Sequence, residues 1–218
     1  MLETKGISFW GEKDAKRIFF QLVDEHDGEL MEAEVEALRG MVSSSDWGLF
    51  TLPVGSWNED LTPWRAPAVF GKQDFGEGAA DTLSSLLAVM KELYPGQEKE
   101  FFLGGYSLAG LFSLWAGYQT DVFSGIVAAS PSVWYPDWLS YIEGKSIQAG
   151  KVYLSLGDKE EKARNPVMAQ VGNAIRSQHE ALLQAGKETV LIWNLGNHFK
   201  ESEIRMAKGI AWMLEGVE

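Results

Sequence analysis

Phe101-Phe102-Leu103-Gly104-Gly105-Tyr106-Ser107-Leu108-Ala109-Gly110-Leu111-Phe112-Ser113-Leu114-Trp115 is the stretch that decides the fold. It opens as an apolar run of strand character, tightens through two glycines and continues as an apolar helix. A serine at such a turn is held in a strained backbone conformation that lifts its hydroxyl above the sheet. Small residues two positions either side give the turn clearance, and Gly105 and Ala109 fill those positions. The helix that follows aims its N-terminal amides at any charge developing near Ser107, with the Leu108 N–H as one donor. The bland alternative is a glycine-rich turn that packs a helix closely on a strand, with Ser107 an incidental N-cap. Partners elsewhere in the chain must decide between the two.

Outward from this turn, apolar runs alternate with helix-like segments. Residues 18–23, 48–54, 100–103, 123–129, 152–156 and 189–193 read as buried strands, and residues 30–42, 78–94, 108–118, 166–185 and 201–214 as helices. Strands apolar on both faces and joined by crossover helices predict an α/β fold: a mostly parallel central sheet with helices on both faces. In such sheets ligands sit at the carboxyl ends of the strands. Residues 55–77 and 130–150 are the longest irregular stretches, and their aromatic content argues against disorder. With no repeat and no linker, residues 1–218 are expected to form a single α/β domain, and with no long insertion between the strands at 123–129 and 152–156 it has minimal or no lid.

Only three histidines are present. His198 lies in Leu195-Gly196-Asn197-His198-Phe199, between the last strand and the terminal helix, where α/β-hydrolases carry the catalytic imidazole. His179 falls inside a helix and His26 in an early loop. An imidazole suits the role of general base because its unperturbed pKa lies near neutrality. An anionic orienter is offered by Gly157-Asp158-Lys159-Glu160-Glu161 after the preceding strand. The chain order Ser, acid, His is then satisfied, but three carboxylates compete.

The formal charge of −12 disfavours nucleic acid and anionic membranes as partners. The chain has no cysteine, which excludes disulfides, thiolate metal sites and a cysteine nucleophile. The first twenty residues carry Glu3, Lys5, Glu12, Lys13, Asp14, Lys16 and Arg17 and no signal-like apolar run, so an unprocessed cytoplasmic protein is expected. No segment reaches the ~18 apolar residues of a membrane span.

The chain resembles the esterase D-like branch of the α/β-hydrolases, which includes siderophore esterases, feruloyl esterases and S-formylglutathione hydrolases. The likeness is strongest from Phe101 to Trp138. That family's elbow G-x-S-x-G-G-L is followed, after one helix and one strand, by S-P-S-x-W-W. Here stand Gly105-Tyr106-Ser107-Leu108-Ala109-Gly110-Leu111 and Ser130-Pro131-Ser132-Val133-Trp134-Tyr135, with Gly196 and His198 extending the match. Ala109 replaces a glycine, Tyr135 replaces a tryptophan, and the region before Phe101 matches only loosely. The family often places its acid three positions beyond the turn glycine, which the resemblance carries onto Glu160, with Asp158 as the alternative. It also implies a second oxyanion donor from Asp24-Glu25-His26-Asp27, a backbone N–H of Glu25 or His26.

These readings combine into an expected serine esterase acting on a small-molecule ester. Ser107 is the nucleophile, His198 the general base and Glu160 the orienting acid, and no metal or organic cofactor is required. Trp57, Trp64, Trp134 and Tyr135 are expected to wall an open pocket suited to an apolar or aromatic group. Two rivals remain: an acyltransferase using the same residues, and a non-catalytic binding protein on the same fold. The oligomeric state is left open.

Overall fold

A computed structural model of the protein describes residues 6–96 and 98–216. The first five residues, including Glu3 and Lys5 of the N-terminal reading, lie outside the described residues. Seven strands form one sheet: β1 (Ser8–Gly11), β2 (Arg17–Val23), β3 (Trp47–Pro53), β4 (Glu100–Tyr106), β5 (Phe123–Ala129), β6 (Lys151–Gly157) and β7 (Glu188–Asn194). Their order is β1-β3-β2-β4-β5-β6-β7. All neighbours run parallel except β1, which pairs antiparallel with β3 at one edge. Among the described residues the α-helices are α1 (Glu25–Met41), α2 (Trp57–Asp60), α3 (Ala79–Leu93), α4 (Ser107–Gln119), α5 (Trp138–Ile142), α6 (Val171–Gln184) and α7 (Ser202–Glu215).

The period of two along a strand divides the core between the two faces of the sheet. On β2, Ile18, Phe20 and Leu22 join one apolar cluster, which also takes residues of α3, α4 and α6. Phe19 and Val23 point the other way, into a cluster built with α1 and α7. Helix α4 is buried over most of its length, Leu108 to Gly117. That explains why its sequence is apolar all round instead of amphipathic.

Register places the functional ends of four strands side by side. Tyr106 of β4 stands opposite Ala129 of β5, Ala129 opposite Ser155 of β6, and Gly157 at the end of β6 opposite Asn194 at the end of β7. The residues that follow these strand ends therefore converge on one edge of the sheet.

The sequence reading needs correction in several places. Strand β1 escaped it because four residues at a sheet edge carry too short a pattern. Strand β4 continues through Gly104 and Gly105, which read as turn; both pair with β5, opposite Val127 and Ala128. The segment Asp24–Asp27 is not a loop: α1 starts at Glu25, capped by the Asp24 carboxylate, which accepts the Asp27 N–H at 2.8 Å. Helix α6 begins at Val171 rather than Pro166, because the Asn165 carboxamide oxygen accepts the Val167 N–H and a 3₁₀ turn at Met168–Gln170 intervenes. The two irregular stretches hold the short helices α2 and α5. Among the described residues no helix is long and apolar enough to cross a membrane.

Candidate active site

Between β4 and α4 the chain reverses within one residue. Ser107 has φ +57°, a left-handed conformation that costs a residue with a Cβ of order 1–3 kcal/mol and persists only where the surroundings enforce it. The turn is tight enough that a Cβ on Gly105 would lie 2.6 Å from the Ala109 Cβ. A side chain at Gly105 is thus excluded, whereas the methyl of Ala109 is accommodated because Gly105 has none.

The Ser107 Oγ lies 3.0 Å from His198 Nε2, and His198 Nδ1 lies 2.7 Å from Glu160 Oε2. Glu160 follows β6 in a 3₁₀ turn and is buried. Its other oxygen, Oε1, accepts the Ser130 hydroxyl at 2.8 Å, the Gly157 N–H at 2.7 Å and Arg205 Nη1 at 2.8 Å. With Oε1 saturated, Oε2 is left to the imidazole. Burial acts to raise the Glu160 pKa, but the hydrogen bond and charge of His198 and the donors on Oε1 outweigh it and hold the carboxyl below its ordinary range. Glu160 is therefore ionised beside the imidazole.

The competing carboxylates are placed otherwise. Asp158 Oδ1 accepts the Gly196 N–H at 2.8 Å and so ties the histidine loop to the end of β6. Glu161 pairs with Arg176 at 2.9 Å near the surface. Of the other histidines, His179 lies on α6, and His26 reaches the cavity wall from the first turn of α1.

The Leu108 amide is in the first turn of α4, and the Glu25 and His26 amides are in the first turn of α1, where a helix leaves its N–H groups without intrahelical acceptors. Ser132, from the second half of the Ser130-Pro131-Ser132 motif, brings its Oγ to 3.4 Å from that of Ser107, and its N–H donates to the Ser107 carbonyl at 3.0 Å.

Above these groups opens a cavity of about 480 Å³ walled by Trp57, Phe70, Trp134, Met168 and Phe199. Phe70 and Trp134 meet edge to face at 6.1 Å. Asp24 and Asp27 form its acidic end; burial, reinforced by the Asp24 charge, pushes Asp27 up to about 6. Phe199 is 88% exposed and stands beside the imidazole at the mouth.

Two of the four expected wall residues are not part of this cavity. Trp64 donates its indole N–H to the Pro136 carbonyl at 3.0 Å and packs on Tyr135 and Tyr141, while the Tyr135 hydroxyl donates to the Trp64 carbonyl at 2.5 Å. Both serve to lock the two long connections together, since a buried indole or phenol must find a hydrogen-bond partner.

Several residues of the site were not singled out from the sequence. Ser130, itself at φ +44°, stood in the quoted motif without a role. Tyr106 donates its hydroxyl to the His198 carbonyl at 2.6 Å, and burial pushes it up to about 12, so it keeps its proton. Arg205 is 1% exposed on α7. Its signal was available: a lone basic residue on the apolar stripe of Met206, Ala207, Ile210 and Met213. Among the described residues no cluster of three or more His, Asp or Glu side chains is disposed to hold a metal ion.

No protein-family model matches the sequence, and no curated protein does so. Solved structures do match in fold. The siderophore hydrolase EstA from Aspergillus nidulans superposes with TM-score 0.72 at 19% identity, over 95% of this chain and 88% of that one. An IroE-like serine hydrolase from Shewanella oneidensis gives TM-score 0.72 at 16% identity, over 92% of this chain and 70% of that one. The enterobactin esterase FES from Shigella flexneri gives 0.65 at 13% identity, over 95% of this chain but 55% of that one. With the sheet order and the strand–serine–helix turn described above, these likenesses show the α/β-hydrolase fold.

Proposed function

We propose that the protein is a serine esterase, hydrolysing carboxylic esters through an acyl-enzyme on Ser107. The observation that carries this reading is the unbroken chain of contacts from Ser107 Oγ through the His198 ring to Glu160 Oε2, at 3.0 and 2.7 Å, set on a strained turn at the strand ends. His198 Nε2 takes the Ser107 proton as Oγ bonds to the ester carbonyl carbon, and Glu160 stabilises the imidazolium so formed. The Leu108 amide, with an amide from the first turn of α1, receives the oxyanion. Collapse of the tetrahedral adduct breaks the ester C–O bond, and the imidazolium returns its proton to the departing alcohol. Water, deprotonated by the same ring, then releases the acid and regenerates Ser107.

The cavity suits an ester with an apolar or aromatic group, because its walls are rings and a thioether. Its fold neighbours are named as siderophore hydrolases and an enterobactin esterase, and the rings of this cavity make aryl esters the first to test. A mouth open to solvent favours water over a second alcohol as acceptor, which sets hydrolysis above acyl transfer. The test is a panel of aryl and acyl esters read as kcat/KM with wild type and Ser107→Ala. Turnover by wild type alone supports the reading, and equal turnover by both, or none by either, contradicts it.

A further inference from the structure

The geometry points to Arg205 as the positioning residue of this site: its fork fixes Glu160 toward His198 and ties the histidine loop to the neighbouring strand ends. The inference rests on the catalytic assignment above, but its test does not need ester turnover.

Arg205 enters from α7, on the far side of the acid from Ser107, and its guanidinium joins groups that belong to four separate strand ends. Nη1 donates to Glu160 Oε1 at 2.8 Å, to Ser130 Oγ at 2.8 Å and to the Tyr106 hydroxyl at 3.1 Å. Nη2 donates to the Asn197 carbonyl at 2.9 Å, in the loop that carries His198. Tyr106 completes the ring by donating to the His198 carbonyl. One planar group therefore sets the acid, the residue before the nucleophile, the end of β5 and the histidine loop at once. Lysine carries the same charge as a single point, so it cannot reproduce a fork of this shape.

Arg205→Lys keeps the charge and loses the fork, and should lower kcat by about tenfold or more at unchanged KM. In ¹H–¹⁵N spectra of the imidazoles, simplified because the chain has only three histidines, the His198 Nδ1–H held by Glu160 should weaken or move upfield in Arg205→Lys and Arg205→Met. Should Arg205→Met fail to fold, Arg205→Lys still decides the fork. An Nδ1–H resonance unmoved in Arg205→Lys, or Arg205→Lys at full kcat, overturns the inference. Wild type that hydrolyses no ester overturns the esterase reading instead, and the imidazole spectrum is read regardless.

Discussion

Glu160→Gln is the substitution whose consequences the structure specifies most fully. Glu160 Oε1 receives two obligatory donors, the Gly157 N–H and the Arg205 guanidinium, so the glutamine must place its carbonyl oxygen there. Its amide NH₂ then faces His198 Nδ1 and forces that nitrogen to accept. The proton moves to Nε2, which points at Ser107, and the ring can no longer act as base. The charge lost matters as well: an imidazolium and a carboxylate about 4 Å apart at an effective dielectric of ~20 interact by about 4 kcal/mol. That is roughly 10³-fold in kcat, with KM nearly unchanged because the imidazolium forms only in the transition state. Arg205, buried and deprived of its partner, adds a stability loss of about 3–5 kcal/mol. Steady-state kinetics on an aryl ester and urea unfolding read the two effects separately. Asp158→Asn weakens only the tie to Gly196 and should cost a few-fold at most, and Glu161→Gln, at a half-exposed ion pair, nothing measurable. Glu160→Gln within fivefold of wild-type kcat would refute the assignment, and a larger loss in Asp158→Asn would transfer the role to that residue.

Two further predictions concern the scaffold. Gly105→Ala should abolish activity and destabilise the fold by several kcal/mol, since the added methyl overlaps the Ala109 backbone and Cβ; thermal melting and ester turnover check both. Glu34, 3% exposed with its Oε2 accepting from Gln21 at 3.1 Å, is pushed by burial up to about 8 from 4.5, with Asp27 and Glu203 adding to the rise. Between those values the folded protein keeps a proton the unfolded chain has released, so stability falls as pH rises through that window, by on the order of 5 kcal/mol in all. Glu34→Gln should flatten that fall in a denaturant series from pH 5 to 8.5, and an unchanged slope would show Glu34 is not its source.

How far the sequence could be read follows from the range of the interactions involved. The elbow was legible because strand, turn and helix are contiguous and Gly105 is dictated locally. His198 was legible because histidines are few and its loop follows the last strand. Glu160 could not be told from Asp158 and Glu161 from the residues alone: its contact with His198 is set up by donors from Ser130 after β5, from Gly157 and from Arg205 on α7, and only Gly157 is near it in sequence. Arg205 showed only as a lone basic residue on the apolar stripe of α7; its role was not legible, because its partners follow other strands. Trp64 and Tyr135 were misplaced because an aromatic residue in a loop has the same appearance whether it walls a cavity or bonds a neighbouring connection. The start of α1 was misread since Gly28 and the charged run Asp24 to Asp27 resemble a loop, whereas Asp24 is a helix cap.

The central claim is that Ser107 is an activated nucleophile, and reaction with a fluorophosphonate probe followed by intact-mass and peptide analysis tests it most directly. The account predicts a single adduct on Ser107 in the folded wild type, absent in Ser107→Ala and formed at least a hundredfold more slowly in His198→Ala, on the order expected when a general base is lost. A folded wild type that forms no adduct, or forms it at another residue, would contradict the account.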